Sequence, residues 1–296
     1  CVRQHSKTEA SPQRFEPPLG PQILAKPDSN ADCRLYASPK MASTLPRRTR
    51  FPSPTAFSTL HPLSTTKSDA KHFSAGHDIG SPGRDFHSSF DRRLMWYDHA
   101  NKPGAEKAYI REQEVYLGMC KRWRDIPKPT IAQVHKGCIA GGLMLAWVCD
   151  LIIASDDAFF QDPVLQMGFP GLEYFAHCHE LNPRIAKEFL FLGERMPAQR
   201  AYEIGMLNKV VAREDLADEV LRIAQRIANQ PRLALQLAKQ ACNHMETLSG
   251  KEAGIDAAFG YHHFAHAQNQ LTKGDYIAGL DGKKMAERNK AQEAKG

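Results

Sequence analysis

Apolar residues fall into a readable period only from about Ser68 onward. Between Ala105 and Arg124 there is no proline and a single glycine, and Tyr109, Tyr116, Met119, Cys120 and Trp123 recur at helical spacing. Pro103-Gly104 opens that helix, and Pro127 and Pro129 close it. Thr130 to His135 reads as a short strand. Gly141-Gly142 leads into an apolar helix over Leu143 to Val148, and the β-branched-rich run Leu151 to Ala154 reads as a buried strand. Helices follow around Arg184–Leu192 and Ala198–Ile204, the second stopped by Gly205. After a short strand at Lys209–Val211, residues Leu216, Val220, Ile223, Ala224 and Ile227 form one helical stripe behind Asp215. Two more helices are expected over Ala234–Met245 and Ala253–Ala267. Short strands alternating with helices, then helices alone, indicate an α/β core with an all-α C-terminal region.

Before Ser68 no period of 3.6 or 2 persists, and Pro17, Pro18, Pro52 and Pro54 would break any helix longer than two turns. The expected organisation is an unstructured segment over 1–68, a core over 69–212 and a helical region over 213–296. Charge follows the first divide. The chain of 296 residues carries a net charge of +6, which alone would suggest a nucleic-acid or membrane partner. Residues 1–72, however, hold 11 Lys and Arg against 5 Asp and Glu, together with 10 of the 19 prolines, whereas the rest holds 28 basic and 28 acidic residues. The organised part is therefore neutral, and no nucleic acid is expected. The longest apolar run, Ile139 to Ala154, is interrupted by Asp150 and is too short to span a bilayer. Seven cysteines with no C-x-x-C pair suggest reduced thiols and a cytoplasmic protein. An organelle matrix is the alternative if residues 1–68 are a transit segment.

Two clusters carry chemistry. In Phe73-Ser74-Ala75-Gly76-His77-Asp78, small residues let the backbone bend closely around a ligand. In Ile139-Ala140-Gly141-Gly142-Leu143-Met144, two glycines precede a helix, a place where backbone N–H groups favour an oxyanion or a phosphate. Neither a G-x-x-x-x-G-K nor a G-x-G-x-x-G fingerprint is present. With Lys128-Pro129-Thr130-Ile131-Ala132, Gly137 through Cys149-Asp150, Ala158-Phe159-Phe160, Gly168-Phe169-Pro170-Gly171 and the Ala198, Ala201, Gly205-Met206, Val210-Val211 series, the chain resembles the crotonase (enoyl-CoA hydratase/isomerase) superfamily over about 69–290.

That resemblance implies a crotonase-like ββα spiral core whose helical C-terminal region builds a homotrimer or a dimer of trimers. It implies an acyl-CoA substrate, with CoA present only as part of that substrate and no separate cofactor. The thioester oxygen would be held by the backbone N–H groups of His77 and Gly141, and Ser74, Ala75, Gly76, Asp78, Ile79 and Gly142 would line the substrate. The positions where hydratases of the family carry two glutamates read Met144 and Val164, neither of which exchanges protons near neutral pH. Glu173, in a loop where some isomerases of the family place an acid, and Asp162, two residues before Val164, are the candidate acid/base residues, either serving as general base if its environment raises its pKa toward neutral.

His262 and His266, at i, i+4 on one expected helix, could bind zinc. No H-E-x-x-H accompanies them, so the expectation is helix-surface or interface histidines and no metal. Trp96-Tyr97-Asp98-His99 is a candidate lining of the acyl pocket. Nothing before Ser68 matches the two strands and basic loop with which the family opens, and an aberrant coding frame or start upstream of Ser68 is the expected reason. The expected activity is enoyl-CoA hydration or isomerisation through a thioester enolate. The alternatives are a non-catalytic CoA-binding or assembling subunit and an acyl-CoA hydrolase.

Overall fold

The structure, a computed structural model, describes residues 64–68, 71–77, 102–277, 284, 285, 287 and 288, all within the unit Tyr36–Gly296. Asp78, Ile79 and the Trp96–His99 segment lie outside the described residues. Two stacks of short strands organise the core. One is four parallel strands in the order β1 (Ser64–Thr66), β2 (Thr130–Val134), β4 (Leu151–Ser155) and β7 (Lys209–Val211). The other joins β3 (Gly137–Ile139) in parallel to β5 (Phe159–Gln161), which pairs antiparallel with β6 (Met196–Pro197). The chain alternates between the stacks and advances by one strand at each return. Ile131 sits beside Leu151, and Gly137 sits beside Phe159.

Strand β1 is a correction to the sequence reading, because Ser64–Thr66 falls inside the stretch expected to lack structure. It pairs with Thr130–Ala132, and eight residues later Ser74 bridges Cys138. Residues 64–77 therefore supply one strand position to each stack ahead of β2 and β3. The signal was weak because Ser64, Thr65 and Thr66 carry no apolar alternation for a period to show.

The helix expected over Ala105–Arg124 forms with an irregular centre. Helix α1 (Gly104–Glu112) runs into a π-helical turn at Gln113–Gly118 and continues as α2 (Met119–Arg124). Such widened turns recur at functional sites, and this one carries Tyr116. Helix α3 (Gly141–Trp147) links the stacks, and its apolar sequence is explained by near-complete burial. Short α4 (His177–Glu180) and then α5 (Pro183–Leu192), capped by the Asn182 side chain, precede β6, and α6 (Ala198–Glu203) follows it. The stripe of α7 (Leu216–Ala228) packs Leu216 and Val220 against Ile131 and Ile153.

The last two helices are longer than the sequence reading gave: α8 spans Arg232–Leu248 and α9 spans Lys251–Lys273. Buried charges bolt α8 to the core. Lys239 of α8 donates to Asp150 Oδ2 at 2.9 Å and to the Lys128 carbonyl at 3.1 Å, while the same carboxylate oxygen accepts from the Thr130 amide at 2.7 Å. Arg124 reaches Glu246 at 2.7 Å. Lys239 and Arg124 are taken from water only with their partners in place, which is what makes their burial tolerable. Among the described residues no helix is long and apolar enough to cross a membrane, and Cys120, Cys138, Cys149, Cys178 and Cys242 are free thiols.

Candidate active site

The two glycine turns converge. Ser74 is fixed against β3: its amide donates to the Gly137 carbonyl, and its own carbonyl accepts from the Ile139 amide at 2.9 Å. Its hydroxyl accepts from the Gly76 amide at 3.3 Å, holding the next turn. Gly76 has φ +87°, a conformation that favours glycine, and a methyl group there would stand 3.0 Å from the Gly141 nitrogen. Across the gap, Ala140 has φ +49° and ψ −122° as the chain leaves β3 for α3. A non-glycine residue in that region stores strain of the kind found at ligand-binding turns. Gly142 is equally constrained, because a Cβ would fall 2.7 Å from the Ser74 carbonyl oxygen. The structure thus brings Ser74, Gly76, His77, Gly141 and Gly142 together, with Ala75 exposed beside them.

Glu173 belongs to this cluster. Its Oε1 accepts from His77 Nε2 at 2.9 Å, and the His77 ring lies 4.1 Å from the Tyr116 ring in a stacked arrangement. The His77 ring also stands where a Gly141 methyl would be, at 3.3 Å. Burial pushes the Glu173 carboxyl up, but His77 and His262 outweigh it and hold the group below the usual carboxylate range. Glu173 is therefore an ionised acceptor, shifted away from the upward tuning expected of a general base, with side-chain exposure of 5% against 15% for His77.

Asp162 does not join it. Its Oδ2 accepts from His177 Nε2 at 2.8 Å and its Oδ1 from the Val164 amide at 3.2 Å, and both side chains of the pair are 0% exposed. Both Asp162 oxygens are thus engaged inside the core, away from the hydrogen bonds of the Glu173 pair. Met144, in α3, and Val164, which starts a 3-10 turn over Val164–Met167, are buried and apolar. The two places where the family's glutamates would stand are thus filled by core packing.

The histidines of α9 depart most from expectation. His262, His263 and His266 are buried, not on the helix surface, and they face Glu112, the last residue of α1. Glu112 Oε2 lies 3.2 Å from His263 Nε2 and 3.7 Å from Nε2 of each of the other two. His262 Nδ1 donates to the Gly171 carbonyl at 2.8 Å, which anchors the loop leading to Glu173. Burial pushes the Glu112 carboxyl up and lowers His263 and His266 to about 4. The sequence did hold a signal for Glu112. It lies three residues after Tyr109 and four before Tyr116, a carboxylate on the apolar face of a helix.

A spiral of paired strand stacks, closed by helices and carrying two mutually touching glycine turns, defines a crotonase fold. The enoyl-CoA hydratase/isomerase family pattern matches residues 99–291, about two-thirds of the sequence, and the chain belongs to that family. It is 40% identical over 204 residues to the putative enoyl-CoA hydratase EchA13 of Mycobacterium tuberculosis, covering 66% of this chain and 63% of that protein. A crotonyl-CoA hydratase of Syntrophomonas wolfei is 39% identical over 137 residues, 45% of this chain and 53% of that one. The chain thus spans less than two-thirds of the length of these relatives. Crystal structures of probable enoyl-CoA hydratases from Mycobacterium smegmatis and Mycobacterium thermoresistibile superpose with a TM-score of 0.65 each. They are 39% and 40% identical, covering 74% and 73% of this chain and 81% and 80% of theirs.

Proposed function

We propose that the protein hydrates enoyl-CoA thioesters through an enolate, with the backbone N–H groups of His77 and Gly141 on the thioester oxygen and Glu173 as proton carrier. The observation that carries this reading is the convergence of Gly76, His77 and Gly141 beside the Glu173 carboxylate, which is hydrogen-bonded to His77. As water adds to the β-carbon, negative charge moves onto the thioester oxygen. Two positioned amides then contribute on the order of 3 kcal/mol each to the transition state. Glu173 takes the proton released by the attacking water and returns one to the α-carbon, so that no proton is gained or lost over the cycle. His77 orients the carboxylate through its side chain while offering its backbone to the substrate. CoA enters as part of the substrate, and no separate cofactor is required.

One observation favours a second reading. With Met144 and Val164 buried and apolar, Glu173 is the acid at hand, and moving a double bond needs only one group that removes a proton and redelivers it. Isomerisation of a 3-enoyl thioester fits that economy. Self-association also belongs here as a proposal. Leu233, Leu237, Met245 and Leu248 of α8, with Tyr261, Phe264 and Leu271 of α9, are exposed apolar residues in the region where the family resemblance implies a trimer contact.

Mixing the purified protein with crotonyl-CoA and longer enoyl-CoAs, while following enoyl absorbance and free thiol, separates the readings. Loss of the chromophore without thiol release supports hydration. Gain of conjugated absorbance from a 3-enoyl-CoA supports isomerisation. Thiol release marks a hydrolase, and binding without turnover marks a non-catalytic subunit.

A further inference from the structure

We infer that Glu112, His262 and His266 form a binding site for one divalent transition-metal ion, with Zn2+ the expected occupant. His262 Nδ1 lies 2.8 Å from the Gly171 carbonyl oxygen, and His266 Nδ1 lies 3.0 Å from the Tyr276 carbonyl oxygen. A carbonyl only accepts, so both rings carry their proton on Nδ1. Their Nε2 atoms face each other at 2.9 Å. A contact that short needs a cation between the two nitrogens, either one shared proton or a metal ion that both ligate.

The third donor is in place. The three ligand atoms lie within 4.8 Å of one another, with Glu112 Oε2 at 3.7 Å from each Nε2. Tetrahedral zinc with bonds of about 2.0–2.1 Å separates its donors by about 3.3 Å. The observed separations of 2.9, 3.7 and 3.7 Å bracket that value. Two histidines one helical turn apart plus a carboxylate from another element is a donor set zinc accepts, and backbone carbonyls on the far ring nitrogens are the usual support for ligating imidazoles. Nitrogen donors disfavour Mg2+ and Ca2+.

Charge points the same way. Glu112 is completely buried, and neither carboxylate oxygen has a hydrogen-bond partner among the described residues. Glu173 Oε1 stands 4.0 Å from His262 Nε2, so two buried carboxylates share this region. A divalent cation neutralises both. It also joins α1 to α9 next to the loop that carries Glu173. The inference does not depend on the reaction proposed above.

The test uses the full chain without an affinity tag, stripped with a chelator, then given Zn2+ or Co2+ and freed of excess by gel filtration. One zinc per chain is expected, with the visible bands of tetrahedral Co2+. Glu112→Gln and His266→Gln should weaken Zn2+ by more than the roughly 10–100-fold that loss of a supporting partner costs. His244→Ala, at an exposed position, should change nothing. Circular dichroism checks that the variants fold. If they do not, X-ray absorption of the wild-type Co2+ complex still counts imidazole ligands, and two are expected. No retained zinc in the wild-type chain, variants that bind as the wild type does, or a nitrogen-15 spectrum with a proton shared between the His262 and His266 rings at saturating Zn2+ would each overturn the site.

Discussion

Two carboxylate–imidazole pairs stand in this molecule at almost the same distance, 2.9 Å for Glu173–His77 and 2.8 Å for Asp162–His177. Chemically they are near twins, but their surroundings differ. Asp162 spends its second oxygen on the Val164 amide, and His177 Nδ1 has no hydrogen-bond partner among the described residues, so the pair is sealed in the core as a clamp between the end of β5 and α4. The Glu173 pair retains some exposure, and its histidine backbone belongs to a turn that touches Gly141. On the proposed reading, what separates a reagent from a brace is the number of uncommitted oxygens and the access of a ligand to them, not the identity of the pair.

Substitutions can break or sharpen that contrast. The largest effect is expected for Glu173→Gln, which should lower turnover by about 10²–10⁴-fold, the usual contribution of a positioned proton carrier, while leaving the protein folded. Steady-state kinetics with the melting curve as control reads both. Asp162→Ala should do the reverse. Stranding His177 Nε2 in the core costs roughly 1–3 kcal/mol, visible in urea unfolding, with turnover per folded molecule preserved.

Gly142→Ala tests the turn itself. A methyl group 2.7 Å from the Ser74 carbonyl forces backbone to move and should cost about 1–3 kcal/mol together with a loss of activity. The smallest effect belongs to Met144→Leu. It is expected to change stability by less than about 1.5 kcal/mol and to leave turnover nearly untouched, because Met144 fills space and handles no proton. A large loss of turnover in that variant would return Met144 to the chemistry.

Most of the fold was legible because the spiral is built from apolar runs bounded by glycine and proline. Helices α5, α6 and α7 lie within a residue or two of the spans their periodicity gave. Strand β1 was not legible, since Ser64-Thr65-Thr66 has no hydrophobic alternation and owes its place to pairing with β2. Helix α9 ran past both its expected ends, where Lys251 and Asn269 are buried by tertiary partners that a local window does not contain. At the site, the glycine turns could be read directly, as backbone geometry restricts the residues allowed there. The side chains were harder. Asp162 looked available because chain proximity to Val164 says nothing about where its oxygens point. The α9 histidines looked superficial because their partner, Glu112, lies 150 residues earlier in the chain.

The most direct test of the central claim is the rate of enoyl-absorbance loss with saturating crotonyl-CoA, compared between the wild-type chain and its Glu173→Gln and Asp162→Asn variants. The account predicts turnover by the wild type, near-complete loss in Glu173→Gln and wild-type turnover per folded molecule in Asp162→Asn. Full activity in Glu173→Gln, or its loss in a folded Asp162→Asn, would contradict it.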